Sequence, residues 1–136
     1  MHGKLQQAIA TAEAYLAAME ARDMDAARSH VQDGPLDLTF PGARRFTGID
    51  QIVANSGGRY IRVGKTIQRR SAWEEDGQVM VLIAGELNGV WRDGEAFDGI
   101  RFIDLFALRD GLIVRQEVWN DAGEYQLARK AEENQS

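Results

Sequence analysis

Three Asp-Gly dipeptides, Asp76-Gly77, Asp93-Gly94 and Asp110-Gly111, recur at a spacing of 17 residues in the second half of the chain. Asp-Gly tolerates two successive positive φ angles, so it marks the tight turn that joins antiparallel strands. The runs between these turns are long and rich in β-branched and aromatic residues. From about Val63 onward the sequence therefore predicts a four-stranded antiparallel meander. The segments between the turns are not alike, which separates this pattern from a solenoid repeat. Long strands in a 136-residue chain must curve, and Gly85, Gly89 and Gly99 are the expected bend or bulge points.

The first half has a helical period. Leu5, Ile9, Ala12, Leu16 and Met19 make one stripe across residues 4–21, with no Gly or Pro to interrupt it. Tyr15 lies beside that stripe, either as a boundary aromatic with a wet hydroxyl or as a phenol aimed into a pocket beneath the helix. Asp23 caps a second, short helix through Val31, and Asp33-Gly34-Pro35 ends it. Leu36–Phe40 alternates as a strand, with Leu36, Leu38 and Phe40 on one side and Asp37 and Thr39 on the other. Pro41-Gly42 closes it. A third helix starts at Gly48 on an Ile49/Ile52/Val53 face and stops at Ser56-Gly57-Gly58. Residues 127–136 are polar and expected to fray. The whole, 1–136, is expected to be one α+β domain, a cone-shaped curved antiparallel sheet wrapped around three N-terminal helices. Its conical interior is a natural pocket for a small apolar molecule.

Composition excludes several function classes. A formal charge of −5 disfavours nucleic acid and anionic membrane as partners, since both demand a basic face. No apolar run approaches the ~18–20 residues of a membrane span, and the start, MHGKLQQAIA, lacks the order of a signal peptide. The chain has no cysteine, hence no disulfide, Cys nucleophile or thiolate metal site, and a cytoplasmic location is expected. His2 and His30 are the only imidazoles. A zinc site or a Ser-His-Asp triad is hard to build from them, so neither metal nor cofactor is expected.

Candidate chemistry concentrates in Phe97–Asp121. Strand alternation puts Ile100, Phe102, Asp104, Phe106 and Leu108 on one surface, so Asp104 is a lone carboxyl among apolar side chains. With Asp110-Gly111 as a two-residue loop, Arg109 pairs with Leu112. Asp104 then faces Glu117, Phe102 faces Trp119, and Phe106 faces Arg115. Two carboxyls ~5 Å apart cannot both ionise cheaply, and a shared proton would make a general acid/base pair. The alternative is an outward Glu117–Arg115 ion pair with Asp104 as a satisfied structural acid; a one-residue bulge would send Glu117 to the opposite face. Phe102, Phe106 and Trp119 are expected to line the cavity. On the other face, Ile103, Leu105 and Ala107 predict a sheet-to-sheet homodimer.

The element order, FTGIDQI at the start of the third helix, FIDLFALRDGLI across the last hairpin and the VWND ending together resemble the nuclear transport factor 2-like superfamily, with its cystatin-like fold. That superfamily includes ketosteroid isomerases, scytalone dehydratases, limonene epoxide hydrolases and SnoaL-like polyketide cyclases. The resemblance to ketosteroid isomerases implies Tyr15 and Asp104 as oxyanion-hole donors, Asp104 being kept protonated by its apolar site. Thr39 stands where that family has its aspartate base, and a threonine cannot take the proton. Compared with limonene epoxide hydrolases, Asp121 matches the carboxylate that ends the last strand. Their Arg-x-Asp falls near Ala84 and Glu86, without the arginine. The resemblance implies isomerase-, cyclase-, dehydratase- or hydrolase-type proton transfer on a small apolar substrate, with Tyr15, Asp104, Glu117 and Asp121 as candidate catalysts. Asp37, Thr39, Phe102, Phe106 and Trp119 are the candidate pocket residues. A non-catalytic ligand-binding or dimerisation module is the other reading, since one fold hosts many functions.

Overall fold

The structure is a computed structural model that describes residues 3–135, side chains through residue 134. His2 and Ser136 lie outside the described residues. The elements run α1 (Lys4–Ala21), α2 (Met24–Arg28), β1 (Asp37–Phe40), β2 (Arg44–Phe46), α3 (Ile49–Gly57), β3 (Tyr60–Glu75), β4 (Gln78–Trp91), β5 (Ala96–Arg109), β6 (Leu112–Asn120) and α4 (Ala122–Gln135). The strands form one curved, unclosed sheet in the order β2-β1-β6-β5-β4-β3. The meander β3–β6 is antiparallel throughout, as its turns predict.

Asp76-Gly77 and Asp110-Gly111 are two-residue loops with both φ angles positive, 51° and 77° at the first and 52° and 79° at the second. This is the primed turn whose twist matches the flanking strands. Asp93-Gly94 behaves differently. Of that pair only Gly94 has a positive φ, and Asp93 Oδ1 accepts the Glu95 N–H at 3.0 Å, giving a wider loop.

The sheet curves where glycines allow it. A Cβ on Gly85 would stand 1.9 Å from the Thr66 carbonyl oxygen, and one on Gly89 2.1 Å from that of Arg62. Both glycines border register shifts, at Ile67/Arg69 in β3 and at Leu87/Gly89 in β4. At these bulges the neighbouring backbone occupies the space a side chain would need.

Helix α1 lies over β3 and β4 and buries Ala8, Ala12, Tyr15, Leu16 and Met19. Glu13 pairs with Arg70 at 2.8 Å, and Glu20 Oε1 accepts the Lys65 backbone N–H at 2.9 Å, so α1 is pinned to β3 along its length. Beneath it, Val81, Ile83, Ile100, Phe102 and Phe106 form the concave core. Each such fully buried side chain contributes about 1.5–3 kcal/mol. Asp23 caps α2 by accepting the Ala26 N–H at 3.2 Å, and Gln51 Oε1 accepts the N–H groups of Thr47 and Gly48 at the start of α3.

Three features depart from the sequence reading. β1 joins β6 in parallel, with Leu38 beside Gln116, so the sheet is not wholly antiparallel. β2 is an additional short edge strand on β1. Residues expected to fray form most of α4, because Arg129 reaches Asp93 and Glu95, and Tyr125 Oη donates to the Gly99 carbonyl at 3.0 Å. Among the described residues no helix is long and apolar enough to cross a membrane.

Candidate functional site

The geometry of the site turns on one bulge. After Leu108 pairs with Ile113, Ala107 pairs with Arg115, leaving Val114 as an extra residue in β6. The remaining register is Phe106 with Gln116, Leu105 with Glu117, Asp104 with Val118, Ile103 with Trp119 and Phe102 with Asn120. Ile113 and Val118 are both buried, at 1% and 7% exposure, yet the step between them along the strand is odd, with four residues intervening. Strict alternation would expose one of the two; the bulge buries both. The consequence corrects the expected pairing. Glu117 and Trp119 stand on the convex face, outside the cavity, and Glu117 pairs there with Arg115 at 3.5 Å.

Gln116 and Val118 take their places on the concave side. Asp104, 0% exposed, accepts Lys65 Nζ on Oδ2 at 2.6 Å and Gln116 Nε2 on Oδ1 at 3.3 Å. Lys65 leaves β3 between Val63 and Ile67 and reaches across β4, its ammonium 4.8 Å from the Phe102 ring centroid. A buried carboxylate is tolerable only with such a partner. The expected proton shared with Glu117 therefore gives way to an ion pair with Lys65. The Gln116 orientation that donates to Asp104 leaves its Oε1 buried with no donor among the described residues.

Above this pair lies a cavity of about 400 Å³, open to solvent at one side. Leu16, Met19, Ile67, Leu87, Phe102 and Val118 supply much of its apolar wall, and Lys65, Tyr15, Gln116 and Asn120 are among its polar positions. Tyr15 comes from α1 and packs edge-on against Phe106, ring centroids 6.0 Å apart. Burial first, and the negative charge of Asp104 second, push its phenol above the ordinary tyrosine value. Tyr15 thus stays a hydrogen-bond donor, and nothing in the described residues accepts from it. Lys65 Nζ spends one donor on Asp104 and keeps two. An ammonium and a phenol that line one cavity are donors suited to a carbonyl, enolate or phenolate oxygen.

Of the residues expected here, Tyr15 and Phe102 line the cavity. Phe106 is buried behind Tyr15, and Asp104 is sealed beneath Lys65. Asp37 pairs with Arg45 at 2.8 Å, away from the cavity. Thr39 lies beside Glu117 in the parallel β1–β6 pair, so it shares the convex face; Phe40 is the β1 residue that lines the cavity. Asp121 accepts Arg101 Nε at 2.6 Å, at the exposed end of β6. Lys65, Gln116, Asn120 and Arg44 line the cavity without having been singled out in the sequence. Lys65 had a legible signal, a cation interleaved between Val63 and Ile67. Gln116 had none until the bulge was known.

No protein-family model matches the sequence, and no curated protein matches it. Solved structures do match. A SnoaL-like polyketide cyclase from Jannaschia sp. CCS1 is 18% identical, with TM-score 0.73 over 93% of each chain. A nuclear transport factor 2-like protein from Burkholderia pseudomallei K96243 is 14% identical, TM-score 0.71, over 88% of this chain and 94% of that one. An epoxide hydrolase of the limonene type from M. tuberculosis is 20% identical, TM-score 0.68, over 88% and 86%. The chain has the nuclear transport factor 2-like fold. At these identities the likeness fixes the architecture and not an activity.

Proposed function

We propose that the cavity binds a small, largely apolar molecule and holds one of its oxygens, carbonyl, enol or phenol, on Lys65 Nζ and Tyr15 Oη. The observation that carries this reading is the Lys65–Asp104 ion pair at 2.6 Å beside an apolar cavity. Asp104 orients the ammonium, and Tyr15 supplies a second donor that burial keeps protonated. Donors fixed in a largely apolar site favour charge that develops on oxygen, which supports isomerase-, cyclase- or dehydratase-type proton transfer next to a carbonyl. The cavity carboxylates are engaged, Glu13 by Arg70 and Glu20 by the Lys65 backbone. A substrate with an already acidic carbon, such as a β-dicarbonyl, fits that arrangement because it needs no strong base. The same engagement favours a second reading, a binding module that catalyses nothing.

A homodimer through the convex sheet face is part of this proposal. Ile103 and Trp119, 41% and 51% exposed, are register neighbours there, and a second copy would cover both. Ala107, expected in that patch, is already buried, with Met80 and Arg115 as its register partners. A cytoplasmic setting, in keeping with a chain that has no cysteine, completes the reading. The test is whether 2-naphthol ionises more readily when bound, as its absorbance reports. Tyr15→Phe should weaken binding about tenfold, the worth of one good hydrogen bond. Equal binding of naphthalene and naphthol would refute the oxygen site.

A further inference from the structure

Three guanidiniums line the cavity, those of Arg22, Arg44 and Arg59. They come from the end of α1, from β2 and from the turn before β3, and among the described residues none has a carboxylate partner. Arg28, Arg45, Arg70, Arg101, Arg115 and Arg129 do, while Arg62, Arg69, Arg92 and Arg109, which also have none among the described residues, lie outside the cavity lining. Acids are not scarce, since the chain carries 21 Asp and Glu against 16 Lys and Arg. Of the two acids that reach the cavity, Glu13 is neutralised by Arg70, while Glu20 accepts only a backbone N–H, so one carboxylate charge stands against three guanidiniums. The cavity therefore gathers uncompensated positive charge within a protein of net negative charge.

Arg44 is held in place by neutral acceptors, Nη1 on Asn55 Oδ1 at 2.8 Å and Nε on the Pro41 carbonyl at 3.3 Å. Its Nη2 has no partner among the described residues. Arg22 donates to Ser56 Oγ at 3.1 Å, and the Arg59 side chain makes no hydrogen bond among the described residues. Burial first, and the charge of Arg59 second, hold Arg44 below the usual arginine value. Two like charges crowded at a partly dry mouth are unfavourable, and an anion between them would remove the penalty. Tyr60, stacked on Trp91 at 5.2 Å and 20°, also lines the cavity and offers an aromatic shelf beside them.

We infer that the ligand is an amphiphilic anion, its apolar body in the cavity and a carboxylate or phosphoryl head on Arg44 and Arg59. The inference rests on the small-molecule reading of the cavity and names the substrate class. The neutral oxygen site at Lys65 and Tyr15 would take the other end of the molecule. A pre-positioned guanidinium pairs with such heads bidentately, with specificity a lysine does not match.

The test compares 2-naphthoate, 2-naphthyl phosphate and neutral 2-naphthamide by titration calorimetry, with 2-naphthol as control. The wild-type protein should bind at least one anion about tenfold more tightly than the amide, with the gap narrowing in about 0.5 M NaCl. Arg59→Gln and Arg44→Gln should each lower anion affinity about tenfold and leave the amide and 2-naphthol unchanged. Arg59 is exposed, so its variant carries the test even if Arg44→Gln does not fold. Preference between naphthoate and naphthyl phosphate identifies the head group. Equal affinity for anions and amide, or an anion preference that survives Arg59→Gln, overturns the inference while 2-naphthol binding stands. Failure of every ligand, 2-naphthol included, overturns the cavity reading and the inference with it.

Discussion

Lys65→Met removes the cation that pairs with Asp104 among the described residues while keeping the aliphatic stem over Phe102. The carboxylate would then be fully buried with the Gln116 amide, at 3.3 Å, as its remaining partner. Breaking a buried ion pair from one side costs about 3–5 kcal/mol. The Lys65 side chain is 26% exposed, so water can reach the vacated place and the lower end, about 3 kcal/mol, applies. For a domain of this size that is a fall in melting temperature of roughly 10 °C, readable by calorimetry or by the urea midpoint at constant m. The informative comparison is Lys65→Met/Asp104→Asn. A neutral pair has no uncompensated charge, so the double variant should recover to within about 1 kcal/mol of wild type. A single variant that loses less than about 1 kcal/mol, or a double variant no better than the sum of its singles, would show that the pair does not hold Asp104 in place.

Alkaline titration tests Tyr15. Its folded pKa is raised above the unfolded 10.0 by burial first and Asp104 second. Stability from this group is therefore complete below about pH 10 and falls as pH rises toward the folded value, by up to about 1.4 kcal/mol per pH unit. Tyr60 is raised too, burial being the largest cause, so Tyr15→Phe should reduce that slope without abolishing it; an unchanged slope would contradict the assignment. For the convex face, Ile103→Lys should turn a dimer into a folded monomer in sedimentation, whereas a wild-type monomer at micromolar concentration would remove the proposal.

The parts of the fold that local rules determine were legible. Asp76-Gly77 and Asp110-Gly111 form the turns their chemistry requires, and alternation along β5 put Phe102, Asp104 and Phe106 on the concave side. Ala12, Leu16 and Met19 mark the buried stripe of α1. What was not legible depends on contacts distant in sequence. No glycine in Leu112–Asn120 announces the bulge at Val114, which follows from burying Ile113 and Val118 together. That single residue moved Glu117 and Trp119 off the site and put Gln116 on it. Lys65 could be noticed as a cation between apolar neighbours, but its partner lies 39 residues away. Helix α4 has a polar sequence, and its anchor is the β4–β5 loop, which Arg129 grips through Asp93 and Glu95.

The central claim, that Lys65 and Tyr15 together hold a ligand oxygen, is tested most directly by the ionisation of bound 2-naphthol. Naphthol and naphtholate absorb differently, so a pH titration of the saturated complex gives the pKa of the bound ligand. A nearby ammonium lowers an acid's pKa by about 1–3 units. A fall of that size is expected in the wild-type protein, lost in Lys65→Met/Asp104→Asn and reduced in Tyr15→Phe. A bound naphthol that ionises at its solution value, or above it as in a purely apolar pocket, would contradict the account.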